Sequence, residues 1–230
     1  MSSITDGVAT AASWEAEYAH GRHLEAAPVS FVRDILDAAA DAHLPGEALY
    51  VGCGNGRNVE PLADAGLDVL GLDIAPTAIA QARRRMPERA DRFQVGGLDD
   101  LPSGATWPVV IGIQVFQHGT RAEAHRHLAA AAERVAPGGL LCVRVNAAAT
   151  DVWPAHRVIE LDDDAGFTVR YTEGPKAGLA VHFFAADEIR AVLGPEFTPV
   201  RDLSLDVTHR EAPGAGQWSQ WEGIWRRDGA

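Results

Sequence analysis

Cysteine is scarce in this sequence and basic charge is outweighed: 230 residues hold two Cys, and 20 Lys+Arg face 32 Asp+Glu, a formal net charge of −12. Cys53 and Cys142 each lie inside an apolar segment, which gives no disulfide framework. The acidic balance excludes a protein that grips DNA or RNA mainly by neutralising phosphates, and it argues equally against an anionic membrane surface. No run reaches the ~18 apolar residues of a spanning helix. The opening MSSITDGVATAAS has no basic stretch leading into an apolar one. The expectation is a soluble, cytoplasmic protein with no nucleic-acid or membrane partner. No internal repeat and no compositional break marks a second domain, and this length buries a large core without staples. Composition alone leaves an enzyme and a binding module equal.

What is present is an alternation of short apolar runs and helical periodicity. Residues 1–12 are small and polar and are expected to be disordered up to Trp14. Trp14, Tyr18 and Arg22 then fall four apart, on one helix face. A second helix is expected over about 28–43. ALYVGCGNG (48–56), DVLGLDI (68–74), RFQVG (92–96), VVIGIQV (109–115) and LLCVRVN (140–146) read as strands, with helices at 57–65, 76–86 and 121–135 between them. That is the grammar of a parallel α/β sheet with right-handed crossovers. Beyond Asn146 the grammar changes. Two runs about Gly174-Pro175-Lys176 suggest a hairpin or lid, a helix follows at 185–193, and 199–207 and 217–225 fit an antiparallel finish. The division expected is one domain, 1–230: covering helices at 13–44, a binding core at 45–146, a cap at 147–184, and a C-terminal helix and strands at 185–230.

The sharpest feature is Val51-Gly52-Cys53-Gly54-Asn55-Gly56, placed after a strand and before a helix. A tight turn approached closely by a ligand favours glycine, and the following helix start offers unpaired N–H groups. Asp73, 17 residues past Gly56 at the end of the next strand, stands where a carboxylate accepts both ribose hydroxyls. Dinucleotide enzymes use G-x-G-x-x-G/A; here the last position is Arg57, whose bulk disfavours a pyrophosphate.

Over about 13–146 the chain resembles class I S-adenosylmethionine-dependent methyltransferases. LYVGCGNG resembles that family's first motif, GLDIAPTAI the second, QVGGLDDLP the third, VVIGIQVFQHG the fourth, and VAPGGLL the turn before the fifth strand. The resemblance implies a Rossmann-like, seven-stranded, mostly parallel sheet with an antiparallel C-terminal strand and a small cap insertion. It implies S-adenosyl-L-methionine as methyl donor, S-adenosyl-L-homocysteine as product, and a small-molecule O, N or S acceptor, with secondary metabolism as the setting. Implied cofactor contacts are Tyr18, Arg22, Gly52, Cys53, Gly54, Gly56, Asp73, Ile74, Gly97, Leu98, Gln114 and Val115. The chain departs at Gly97, where an acid is common, leaving the adenine to N–H groups near Leu98 or to Asp99. The N/D-P-P-Y/F motif of nucleobase methylation is absent. The family strand order, 3-2-1-4-5-7-6, sets the two cysteines roughly 10 Å apart, two strand spacings, so both are expected as free thiols.

Individual residues keep two readings each. Trp14, Tyr18 and Arg22 cover the donor or simply pack. His118 and His182 are the candidate catalytic bases, and each also suits a structural role. Arg144 and Asn146 face the ligand-binding edge of the sheet; Arg144 pairs with a carboxylate or receives an acidic substrate group. With Trp14 they are the candidate substrate contacts, and Lys176 and Arg170 on the hairpin are possible additions. His125 and His127, two apart on a helix, point to different faces, and no metal site is expected. Few active side chains are needed, because a sulfonium donor is already activated and the task is alignment. Two rival readings are a nicotinamide-dependent oxidoreductase and a non-catalytic S-adenosylmethionine-binding protein. The oligomer expected is a monomer or homodimer.

Overall fold

The computed structural model describes residues 3–21, 23–44, 46–162, 166–212 and 214–229, with side chains from residue 9. Helix α1 spans Ser3–Ala19 and α2 Phe31–Asp41; the core then alternates β1 Glu47–Val51, α3 Val59–Asp64, β2 Asp68–Asp73, α4 Pro76–Arg85, β3 Phe93–Val95, β4 Trp107–Ile113, α5 Arg121–Glu133 and β5 Val135–Asn146. Next come β6 His156–Asp162, β7 Gly166–Tyr171, β8 Ala180–Phe183, α6 Ala186–Leu193, β9 Phe197–His209 and β10 Gln217–Arg227. The main sheet has the order β3-β2-β1-β4-β5-β10-β9. Its first five strands are parallel, and β10 runs antiparallel to both β5 and β9. The seven-stranded architecture and strand order expected from the motifs are therefore present.

Local chemistry explains the helices. In α2 the apolar stripe Phe31, Val32, Ile35, Ala38 and Ala39 is buried against one sheet face, where each large side chain gains about 1.5–3 kcal/mol over exposure. Helix α4 opens with Pro76 and ends on Arg83, Arg84 and Arg85, favourable at the two ends of the dipole. A capping box, Thr120 with Glu123, starts α5. Helices α2, α3 and α4 cover one face, with α5 and α6 on the other. A concavity lies at the C-terminal ends of β1, β2, β3 and β4.

Two expectations need correction. Residues 1–12 are not all irregular: α1 begins at Ser3, because Ala9, Ala11 and Ala12 favour helix and Trp14 and Tyr18 anchor it. The cap is more than a hairpin, since β6 joins β7 and β8 in a separate three-stranded antiparallel sheet. Arg121 at the start of α5 fastens β6, its N–H donating to Glu160 (2.9 Å) and its guanidinium to Asp162 (2.6 Å). The opposite edge strand, β8, bonds to the segment after β4: His182 N–H donates to Gln117 O (2.8 Å) and Gly119 N–H to Ala180 O (2.9 Å). Cys53 and Cys142 are buried free thiols. Among the described residues no helix is long and apolar enough to cross a membrane.

Candidate active site

The glycine-rich turn links β1 to α3. Gly52 has φ +67°, and a Cβ there would lie 2.6 Å from Val115 Cγ2, so only glycine lets the ends of β1 and β4 close together. Gly54, at φ +59°, lies directly beneath the Tyr18 hydroxyl. Gly56 departs from expectation. It does not line the cavity, and an added Cβ would press on Met86 Cε (3.0 Å) and Ala82 Cβ (3.3 Å), so its smallness serves the packing of α4. Asn58 anchors the turn from below, donating to Tyr50 Oη (3.0 Å) and accepting from Val29 N–H (3.0 Å).

Asp73, at the end of β2, is 8% exposed. Its carboxylate accepts from Gly54 N–H (2.8 Å) and Ala75 N–H (2.9 Å). Burial pushes its pKa above 3.8, and the two N–H bonds pull against that rise. Each carboxylate oxygen retains a further lone pair. One acid thus braces the glycine turn while facing the same cavity.

The cavity, about 500 Å³, falls in the range of small-molecule sites. Of the expected cofactor contacts, Tyr18, Gly52, Cys53, Gly54, Asp73, Ile74, Gly97, Leu98, Gln114 and Val115 line it. Asp99 also lines it, and Arg22 lies outside the described residues. Gln114 is left-handed at φ +59° although it is not glycine, and its N–H is held by Arg144 O at 2.7 Å. Such strain, which costs of order 1–3 kcal/mol, concentrates at functional sites. Sequence reading missed one wall: Glu123, Arg126, His127 and Ala130 of α5 also line the cavity. Their i, i+3, i+4, i+7 spacing is the signal that marks that face.

At the other end stand Trp14 and His118, ring centroids 5.4 Å apart and edge to face. His118 is 8% exposed. Burial, then the charges of Lys176 and His127, lower its pKa to about 3, against a smaller opposing hydrogen bond with the Gln114 backbone. The imidazole is neutral at physiological pH, and its Nδ1 is buried away from solvent. The cap turn closes over α1 here: Lys176 Nζ lies 4.8 Å above the Trp14 ring, and Ser13 Oγ donates to Pro175 O (3.2 Å).

Three expected site residues are placed elsewhere. His182 is fully buried and lines no part of the cavity; Thr168 Oγ1 meets its Nδ1 at 2.9 Å and the Glu188 carboxylate its Nε2 at 2.9 Å. Both ring nitrogens are engaged, so it has no site for a substrate proton. Arg144 takes the first of its two readings, carboxylate pairing, and not that of a substrate contact: it is a buried ion-pair centre, bonded to Glu222 and Asp206 at 2.5 Å each, as a charge within a central strand requires. Asn146 Oδ1 accepts from Trp218 Nε1 (3.1 Å) and Gln220 Nε2 (3.2 Å), joining β5 to β10. His127 lines the cavity, whereas His125 turns to Glu188 (2.6 Å). The donor atoms of His125, His182 and Glu188 lie within 4.8 Å of one another. Direct N–H···O bonds join them, and the Arg121 guanidinium 3.5 Å from the carboxylate opposes a cation.

Comparison with known proteins agrees with this geometry. Residues 48–139 match the family model described as "Methyltransferase domain". The ubiquinone biosynthesis O-methyltransferase of Azorhizobium caulinodans is 34% identical over 125 residues, 50% of this chain and 49% of that protein. The chain spans about half the length of the curated relatives it matches. Among solved structures, the 1,6-didemethyltoxoflavin-N1-methyltransferase of Burkholderia thailandensis, with its substrate and S-adenosylhomocysteine bound, superposes with a TM-score of 0.64 at 19% identity, over 96% of this chain and 88% of that one. The N-methyltransferase NodS of Bradyrhizobium japonicum, in complex with S-adenosylhomocysteine, gives 0.60 at 16% identity, over 95% and 98%.

Proposed function

From the match of residues 48–139 to a methyltransferase domain and the seven-stranded fold, we propose that the chain is a class I S-adenosylmethionine-dependent methyltransferase acting on a small molecule that bears an O–H or N–H group. The observation that carries the donor half is the bracing of Gly54 by Asp73 at the cavity floor. A turn with left-handed glycines, a carboxylate with spare lone pairs and the apolar Ile74 and Leu98 on the walls fit the aminoacyl, ribose and adenine parts of S-adenosylmethionine. Gly52, Gly54, Tyr18 and Gln114 would hold the aminoacyl end, and Asp73 the ribose. When bound, that donor supplies an already activated methyl group on a sulfonium.

The chain's own work is then alignment and the exclusion of water. Trp14 and Tyr18 on α1 close the cavity from above, and the cap turn bears down on Trp14. His118 carries the acceptor half. The ring lines the cavity beside Trp14, where the lone-pair nitrogen of a neutral imidazole can accept from an acceptor's O–H or N–H and so turn that group's lone pair toward the cavity. Neutral at working pH, the imidazole orients that group by accepting its hydrogen bond. The acidic surface, net −12, supports a small-molecule partner rather than nucleic acid or membrane. The same reading takes a cytoplasmic monomer or homodimer, with S-adenosylhomocysteine as product.

Calorimetry with S-adenosylhomocysteine, paired with labelled-methyl transfer into matched phenol, amine and thiol panels, tests this directly. Binding is expected, with label in the phenols or amines and its loss in His118→Ala. NADH binding without S-adenosylhomocysteine binding would overturn the donor; label confined to thiols would overturn the acceptor.

A further inference from the structure

The methyl-transfer reading gives His118 a role but leaves unexplained why a fully buried His182, a buried Glu188 and a half-buried His125 cluster beside the strand that pairs with it. We infer that His182, clamped by Glu188, Thr168 and His125, is a positioning residue for His118, and this rests on the reading of His118 above.

His118 belongs to Gln117–Gly119, which lies between β4 and α5 and pairs with β8 on both flanks: His182 N–H to Gln117 O at 2.8 Å, and Gly119 N–H to Ala180 O at 2.9 Å. Strand β8 has only four residues. Two bonds from so short a strand place His118 only if the strand itself is fixed. The ladder with β7 holds one edge of it, and the His182 side chain sets where it sits against the rest of the fold, because its two nitrogens reach separate elements, Thr168 on β7 (2.9 Å) and Glu188 on α6 (2.9 Å). The Glu188 carboxylate also accepts from His125 on α5 (2.6 Å) and from Ala185 N–H (3.1 Å).

A closed circuit results. From His118 the chain runs into α5 and His125, across to Glu188, on to His182, and back through the β8 backbone to Gln117. Since a carboxylate only accepts, both Nε2 atoms donate, so His182 Nδ1 accepts from the Thr168 hydroxyl when the ring is neutral. Burial raises the Glu188 pKa, but the bonds from His125 and His182 outweigh it and hold the acid below 4.5, keeping the acceptor ionised. Apolar residues would fill this space at lower desolvation cost; buried polar clusters are best attested where they select one arrangement over its neighbours. The arrangement selected here buries His118 against Trp14 and the cavity.

The test follows the His118 ring by NMR in isotope-labelled whole protein through a pH series. In the wild type the ring should show no protonation across the neutral range. His182→Ala should free β8, expose His118, and move its midpoint toward the ordinary 6.5, a gain in proton affinity of about tenfold or more. His182→Gln, which keeps a donor for Glu188, should restore part of the shift. Leu193→Ala, an apolar core change on the same α6, should leave His118 unmoved. If His182→Ala proves unfolded, Thr168→Val keeps the ring but removes one partner, and a smaller shift of the same sign is expected. An unmoved His118 in a folded His182→Ala or Thr168→Val, or an equal shift in Leu193→Ala, overturns the proposal. No methyl transfer is measured, so failure here is distinct from failure of the proposed function, which S-adenosylhomocysteine binding and turnover decide.

Discussion

Asp73 holds two positions at once. Its oxygens fasten Gly54 and Ala75 and still face the cavity. Asp73→Ala should therefore weaken S-adenosylhomocysteine binding by at least one charge-assisted hydrogen bond, ~1.5–3 kcal/mol or roughly 10- to 150-fold, and also lower the melting temperature, because two buried N–H groups lose their acceptor. Asp73→Asn keeps one acceptor oxygen and should lose less in both measurements; unchanged affinity in the alanine variant would remove the ribose from this position. Asp73 and the glycines were legible in the sequence because a backbone that must turn and a carboxylate that must face it leave type and spacing behind. The partners of His182, Arg144 and Asn146 were not, although a structural role for His182 and a carboxylate pair for Arg144 were among their readings. The sequence places all three near the ligand-binding edge, but which way a side chain turns depends on partners distant in the chain: Glu188 for His182, Glu222 and Asp206 for Arg144, Trp218 and Gln220 for Asn146.

Helix α1 is the element on which closure depends. Glu15 accepts from the Thr77 N–H (2.9 Å) and hydroxyl (2.5 Å) on α4, bonds that lower its pKa below 4.5. Gln81 Nε2 donates to Tyr18 O (2.9 Å). On the other flank Ser13 and Trp14 meet Pro175 and Lys176 of the cap turn, and Trp14 also meets His118. Glu15→Ala removes the α4 anchor without touching the cavity lining, so S-adenosylhomocysteine should bind a few-fold more weakly and the amides of α1 should exchange faster, while those of β1 and β4 stay protected. Equal exchange in α1 before and after the substitution would show that the anchor contributes nothing. The core strands and helices were readable because their periodicities are strong and each is bounded by glycine, proline or a cap. Strand β6 was not: its burial follows no simple alternation, and Arg121 holds it through Glu160 and Asp162. The start of α1 was missed for the opposite reason, since small residues read as irregular until Trp14 and Tyr18 give the helix something to pack against.

At the scale of the whole molecule, the acidic excess and the buried histidine set the response to acid. Unfolding releases His118 from a site where burial holds its pKa near 3 to one where it titrates at the ordinary 6.5. Between those values the unfolded chain binds a proton that the native state refuses. The stabilising contribution of the neutral imidazole is thus complete above pH 6.5 and is lost as the pH falls toward 3, at up to ~1.4 kcal/mol per pH unit. His127, also lowered by burial, adds in the same direction. Asp73 and Glu222, both raised by burial, act in the opposite sense at lower pH, so the slope of the wild type alone does not isolate His118. The difference between wild type and His118→Asn cancels those shared groups. Denaturant midpoints measured from pH 7 down to pH 5 should fall more steeply in the wild type, by about one proton taken up on unfolding. Parallel slopes would mean that His118 takes up its proton in the native state as readily as in the unfolded one, and the ring would then be a donor to a ligand instead of an acceptor from one.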